Sequence, residues 1–347
     1  MQTYSALEDG PYVLYRDGQV IVKYVDYRDG RKTVREESRP LPEKDRLELT
    51  VRTDDPGKTF PVKLKTNLEA ERVEYPKPGK LLVISDIEGN FRAFRKLLQA
   101  SGVINDRFGW SFGDGHLVLT GDFVDRGNQV TEVLWLIYSL EEQAAAAGGH
   151  VHFILGNHEI MNLNGDLRYV NPVYIEHAAL MKETFMQLFG ADAELGRWLR
   201  TKNVMEKVGD ILFVHGGISP ELNDMNLSLA RINKLARPHY DNTRYRYPDR
   251  KVELLYSDDG PFWYRGYYAG DPSGKTDQLD STLYQFNVKH VSTGHTVIAD
   301  TISVHGDGKL INTDVHHAKG HSEALLVEEG RFFRVNQAGT RTLLFEK

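Results

Sequence analysis

The stretch Gly121-Asp122-Phe123-Val124-Asp125-Arg126-Gly127, which follows the apolar run Leu117-Val118-Leu119-Thr120, constrains this chain more than any other. A buried strand that ends in a carboxylate, then a second carboxylate, an arginine and a glycine, places charge where the backbone leaves a sheet. That is where α/β proteins put their sites. Two similar strand ends flank it. Leu81-Leu82-Val83-Ile84-Ser85 runs into Asp86-Ile87-Glu88-Gly89-Asn90, and Val151-His152-Phe153-Ile154-Leu155 runs into Gly156-Asn157-His158-Glu159. Asp86, Asp122 and Asn157 are spaced by 36 and 35 residues, each interval about one strand-helix-strand unit. The pattern predicts three neighbouring parallel strands that deliver all three residues to one edge of one sheet.

The chain has 347 residues, enough for one catalytic domain with an appendage, since single cores tend to split near 250–300 residues. Residues 10–75 read as short β-structure. Asp17-Gly18 and Asp29-Gly30 each sit between apolar runs and signal hairpins, so a meander is expected, with one further strand at Leu47–Val51. Tyr75-Pro76-Lys77-Pro78-Gly79 breaks the pattern, dividing a β-rich extension at 1–78 from a catalytic domain at 79–347. Helices are expected at Phe91–Ala100, Thr131–Ala147, Pro172–Phe189, Asp192–Arg200, Asp224–Ala236 and Gln278–Phe286. A hairpin over Val204–Val208 and Ile211–Val214 feeds into His215-Gly216-Gly217-Ile218-Ser219-Pro220. Strands follow at His290–Thr293, Thr301–His305, Leu310–Thr313, Leu325–Glu328 and Phe332–Val335.

Composition excludes several function classes. With no cysteine, thiolate metal sites and cysteine nucleophiles are out. A net charge of −6 argues against a nucleic-acid binder, which would carry a basic footprint. Met1-Gln2-Thr3-Tyr4-Ser5 lacks the basic start and apolar core of a signal peptide, and no stretch approaches the ~20 apolar residues of a membrane span. A cytoplasmic protein with no membrane partner is the expectation; oligomeric state is not legible.

Together the strand ends supply Asp86, Glu88, Asp122, Asn157, His215 and, from Thr293-Gly294-His295-Thr296, His295. Three carboxylates, an amide oxygen and two imidazoles suit two divalent ions of the manganese, iron or zinc type. Two such ions can clamp an in-line displacement at phosphorus. Asp122, on the middle strand, is the natural bridge between them.

These blocks resemble the calcineurin-like metallophosphoesterases, and among them the phosphoprotein phosphatases of the Shewanella-like branch. The resemblance rests on Gly121-Asp122-x-x-Asp125-Arg126-Gly127, Gly156-Asn157-His158-Glu159, His215-Gly216-Gly217-Ile218-Ser219-Pro220 and Gly294-His295, with Ile160–Val170 pointing to the Shewanella-like branch. It implies a four-layer α/β/β/α sandwich of two mixed sheets. It implies one metal on Asp86, Glu88 and Asp122, and a second on Asp122, Asn157, His215 and His295. His158 would be the general acid, oriented by Asp125, in a hydrolysis driven by a hydroxide bridging the two metals. Arg126 would bind phosphate, with Arg265 chosen as a second anchor and Arg168 as its runner-up. An arginine fork matches phosphate oxygens, and a histidine beside a carboxylate can stay protonated near neutral pH.

One position departs from the family pattern. The usual Asp-x-His is Asp86-Ile87-Glu88 here. A third carboxylate makes the first site harder, favouring manganese or magnesium over zinc, so manganese is the first choice of cofactor, with iron, zinc or magnesium as alternatives. The expected activity is hydrolysis of phosphomonoesters, on a phosphorylated protein (Ser/Thr or Tyr) or a small phosphomonoester. The rival readings are a dinucleoside-polyphosphate or nucleotide hydrolase and, because of Glu88, a weakly catalytic or non-catalytic phosphate- or protein-binding module. His116, His150 and His152 read as hydrogen-bonded structural residues, His316-His317 with His321 as a solvated loop, and Phe262-Trp263-Tyr264 with Tyr267-Tyr268 as packing that could wall a substrate pocket.

Overall fold

A computed structural model describes residues 8–269 and 275–346; the N-terminal pentapeptide read above lies outside the described residues. The chain opens with the expected meander, β1 (Asp9–Arg16), β2 (Gln19–Arg28) and β3 (Arg31–Pro40). Asp17, Gly18, Asp29 and Gly30 all have positive φ, the conformation that two-residue hairpin turns require. Next come β4 (Glu48–Arg52), its partner β5 (Thr59–Lys63), and the two-residue β6 (Glu74–Tyr75). Neither β5 nor β6 was expected from the sequence. β6 leaves the N-terminal region to join the edge of a central sheet.

The α/β core then runs β7 (Lys80–Ile84), α1 (Phe91–Ala100), β8 (His116–Thr120), α2 (Val130–Ala146), β9 (His150–Ile154) and α3 (Asn157–Asn164). Asn90 caps α1 by accepting the Ala93 N–H, and Phe91, Phe94, Leu97 and Leu98 are its buried face. Through most of its length α2 is buried on all sides, because the N-terminal meander covers the face turned away from the sheet: Trp135 donates Nε1–H to the Pro11 carbonyl at 2.8 Å.

The single helix expected over Pro172–Phe189 is two, α4 (Pro172–Leu180) and α5 (Phe185–Leu188). Lys182 takes a positive φ, Thr184 starts the new helix with a capping box, and Glu183 is drawn to Arg16 and Lys23 at 2.7 and 2.8 Å. After α6 (Glu194–Leu199) come β10 (Met205–Val208) and β11 (Ile211–Val214). The helix expected over Asp224–Ala236 starts only at Leu229, as α8 (Leu229–Ala236), capped by Ser228; before it lies a short helix that was not expected, α7 (Pro220–Asp224), capped by Ser219. Then follow α9 (Arg250–Leu255), α10 (Lys275–Phe286), β12 (His290–Thr293), β13 (Ser303–His305), β14 (Leu310–Asn312), β15 (Glu323–Glu328), β16 (Arg331–Asn336) and an unexpected last strand, β17 (Arg341–Glu346).

Two six-stranded mixed sheets form the centre, in the orders β17-β16-β15-β7-β8-β9 and β13-β14-β12-β11-β10-β6. β7, β8 and β9 are adjacent and parallel, as the spacing of their ends predicts. Alternation along β7 shows the layering: Leu81 and Val83 join Val118, Ile154, Ile211, Phe213 and Ile311 between the sheets, whereas Leu82 and Ile84 pack with Leu97, Leu98 and Val133 under the helices. Period-two burial on both faces is what a strand between two apolar layers needs. The four-layer α/β/β/α sandwich follows.

Candidate active site

All six expected ligand positions lie just beyond strand ends, four from one sheet and two from the other. β7 leads to Asp86 and Glu88, β8 to Asp122, β9 to Asn157, β11 to His215 and β12 to His295. Asp86, Glu88, Asp122, Asp125, Arg126 and His295 all have positive φ. Non-glycine residues adopt this conformation at a cost of order 1 kcal/mol each, and such strain clusters at functional sites. Two glycines permit the close approach. A Cβ on Gly121 would lie 2.6 Å from both the Gly156 backbone and the His215 ring, and one on Gly294 would strike the Asp86 carboxylate.

The donor chemistry fits a metal. His215 Nδ1 lies 2.8 Å from the Thr120 carbonyl oxygen and so carries the proton donated there. Its Nε2 then faces two oxygens, Asn157 Oδ1 at 2.9 Å and Asp122 Oδ2 at 3.1 Å. A nitrogen lone pair aimed at two oxygens needs a proton or a cation between them, the arrangement of a histidine ligand whose other nitrogen is held by a carbonyl. Asp122, His215 and His295 each bring a ligand atom within 4.8 Å of the others. Their titration shows the same conflict. Burial pushes Asp86 up to about 7, with Asp122 adding to it. Burial would lower His215, but Asp122 holds it up at about 10. His295, buried beside His215, is pushed down to about 2.

Next to this cluster, His158 Nδ1 lies 2.6 Å from Asp125 Oδ2, and the His158 backbone N–H donates to Asp122 Oδ1 at 3.0 Å. Burial alone would lower the His158 pKa, but Asp122 and Asp125 outweigh it and raise it. Its surroundings therefore favour the protonated imidazole, with Nε2 3.8 Å from Asp122 Oδ2. Asp125 is fixed by Asn162, whose Nδ2 donates to Asp125 Oδ1 at 2.7 Å and to the His158 carbonyl at 3.0 Å.

A cleft of about 520 Å³ opens over these groups, lined among others by Asp86, Glu88, Asp122, Arg126, Asn157, His158, Arg265, His295 and Asp314. Glu88 and Arg126, expected as metal ligand and phosphate anchor, meet in one ion pair. Arg126 also lies over the Tyr169 ring. Arg265, itself exposed on a loop whose neighbours are mostly buried, reaches the cleft, donating to the His295 carbonyl at 2.5 Å and to Thr296 Oγ1 at 3.0 Å. Arg168 is not among the lining residues; its guanidinium is paired with Asp166 at 2.7 Å and is largely exposed. The aromatic cluster does not wall the cleft either: Phe262, Tyr264 and Tyr267 are buried in the core.

Four residues escaped the sequence reading. Glu159 accepts the backbone N–H groups of Asp122, Phe123 and Gly156 at 2.9, 2.8 and 2.7 Å, locking two ligand loops together; its place at the third position of α3 was the available signal. Asn162, four residues after His158, is one helical turn from it. Asp314 is buried at the same strand edge, its pKa raised by burial and by Asp86, and only its position beyond β14 could have suggested it. His317, read as part of a solvated loop, is buried and donates Nε2–H to the Ser85 carbonyl; its neighbour His316 does face solvent and pairs with Asp300.

Residues 79–299 match the family described as calcineurin-like phosphoesterase. An uncharacterized protein of Schizosaccharomyces pombe is 31% identical over 263 residues, covering 74% of this chain and 77% of its own length. Shewanella-like protein phosphatase 1 of Plasmodium berghei is 29% identical over 226 residues, 63% of this chain and 61% of that protein. The crystal structure of the cold-active protein-tyrosine phosphatase of a psychrophile Shewanella sp. aligns with a TM-score of 0.87 and 36% identity, over 97% of this chain and 99% of the other.

Proposed function

The chain belongs to the calcineurin-like phosphoesterases, and on that premise we propose that it is a metal-dependent phosphatase of phosphorylated proteins that prefers phosphotyrosine. The preference is supported by the 36% identity, over nearly the whole chain, to a protein-tyrosine phosphatase. One observation carries the chemistry: a buried histidine, His158, held by Asp125 beside a metal-type donor cluster on the floor of a cleft.

Two divalent cations held by Asp86, Glu88 and Asp122 on one side, and by Asp122, Asn157, His215 and His295 on the other, would acidify the attacking water and neutralise the charge that develops on phosphorus. The chain's own residues account for the rest. Arg126 and Arg265 grip the phosphate oxygens from the cleft wall, Arg126 exchanging Glu88 for the substrate. Water's oxygen forms the new bond to phosphorus as the bond to the leaving oxygen breaks. With Nδ1 occupied by Asp125, His158 Nε2 gives its proton to that oxygen. Carboxylate-rich donors favour manganese over zinc. The meander β1–β3, at the start of the β-rich extension, braces the catalytic domain by covering α2.

The test is hydrolysis of phosphotyrosyl and phosphoseryl peptides of one sequence, and of diadenosine tetraphosphate, with manganese and with a chelator. Manganese-dependent release of phosphate, fastest from the phosphotyrosyl peptide, is expected. Faster cleavage of diadenosine tetraphosphate would reassign the substrate, and no turnover with any of them would sink the reading.

A further inference from the structure

Away from the cleft, the N-terminal sheet, the β4–β5 hairpin and the start of α2 enclose a cavity of about 280 Å³ that shares no lining residue with the active site. Its wall carries four carboxylates, from Glu8, Asp9, Asp54 and Glu132, against two cationic side chains, Arg52 and Lys58. All but one of these charges already have partners. Asp9 accepts from Tyr12 and Thr131 hydroxyls and faces His177 Nδ1 at 2.7, 2.5 and 2.9 Å. Asp54 is held at both oxygens by Arg95, at 2.8 and 2.7 Å. Arg52 pairs with Asp26 at 2.9 Å and Glu8 at 3.4 Å, and Lys58 with Asp55 at 2.7 Å.

Glu132 is the exception. It sits in the first turn of α2, is only 7% exposed, lines the cavity, and its carboxyl has no hydrogen-bond partner among the described residues beyond its own backbone N–H. A glutamate at this helical position ordinarily stabilises the helix dipole from the solvent side. Here the side chain is buried but its carboxyl oxygens are not sealed off: what they face is the cavity, so dipole stabilisation alone does not account for its position. Burial, with Asp9 nearby, holds the group well above the usual carboxylate range.

We propose that this cavity is a second binding site, for a small organic cation with N–H donors, an alkylammonium or guanidinium, whose charge pairs with the Glu132 carboxylate. The excess of carboxylates over cations selects the sign of the ligand. The volume selects its size, since it falls just below the roughly 300–1,000 Å³ of pockets for drug-sized molecules.

Isothermal titration of the metal-loaded protein with methylguanidinium chloride tests this, with neutral methylurea as the control. Expected are one saturable site, no binding of methylurea, and affinity weakened about tenfold or more in Glu132→Gln, the loss of a charge-assisted hydrogen bond. Thr59→Trp, on an exposed rim residue, blocks the mouth while leaving Glu132 in place and should weaken binding as much. No saturable heat in the wild type, equal binding of methylurea, or unchanged affinity in either folded variant would overturn the proposal. None of these outcomes depends on phosphatase activity.

Discussion

Two buried clusters of histidine and carboxylate occupy opposite ends of the same strands. Around the starts of β8 and β9, His116 Nδ1 lies 2.9 Å from His152 Nε2, and His152 Nδ1 lies 2.7 Å from Glu206 Oε2. Asn203 donates to the other Glu206 oxygen at 2.8 Å. Every polar atom of His152 and Glu206 is thus matched by the protein. Beyond the ends of β8 and β9, Asp122, Asn157, His158 and the neighbouring His215 form an equally buried set, yet His215 Nε2 is aimed at oxygens and the group opens to a cleft. Residue types and burial hardly separate the two. What separates them is how the oxygens are met: each Glu206 oxygen has its own donor, whereas Asn157 Oδ1 and Asp122 Oδ2 share His215 Nε2 beside a cleft, the arrangement of a candidate site.

The largest expected effect is on catalysis. His158→Asn should lower kcat by about 10²–10⁴-fold, the usual worth of a general acid, with little change in KM or in the thermal midpoint. A variant with near-normal kcat would move the acid elsewhere in the cleft. Next comes metal removal. Chelation should lower the unfolding free energy by about 2.7 kcal/mol relative to protein held at a hundredfold excess over Kd, read as a shift in urea midpoint. The shift should vanish in Asp122→Asn; its survival there would place the stabilising ion outside this cluster.

The other cluster should answer to pH instead. Burial, first of all, raises Glu206 to about 8 and lowers His152 well below 6.5, so the folded pair keeps one proton up to about 8. Unfolded, the same two groups keep their last proton only to the ordinary histidine value of 6.5. Stability from the pair is therefore present below 6.5 and lost as pH rises through 8, by about 2 kcal/mol. Urea unfolding at pH 6 and 8.5 should show that loss in wild type and its reduction in Glu206→Gln. Equal slopes in both would mean the pair does not retain its proton. The smallest effect concerns the arginines: Arg265→Ala should raise KM for an aryl phosphate about tenfold, the loss of one charged hydrogen bond, whereas Arg168→Ala should leave it nearly unchanged. The reverse ranking would restore Arg168 as the anchor.

Much of this was legible in the chain because it is local. Phe91–Ala100 is a helix because its apolar residues recur at helical spacing and Asn90 caps it. Asp86, Asp122 and Asn157 stand together because each ends a buried parallel strand, and equal spacing makes those strands neighbours. The breaks at Lys182 and Asn226 were not legible: the apolar period continues through both, and long-range ion pairs and new caps stop the helices. β17 was missed because a strand at a sheet edge carries a weak burial pattern.

The sequence by itself determined the strand-end blocks, the order of the strands that carry them and the donor types, because strand period, turn chemistry and ligand chemistry are properties of neighbouring residues. Only the tertiary structure decided that Glu88 and Arg126 form one pair, that Asp314 and His317 turn inward, that Arg168 belongs to Asp166, and that Glu132 faces a cavity. Those outcomes depend on which distant groups share a small buried volume, where each charge takes the nearest partner that lowers its cost of burial.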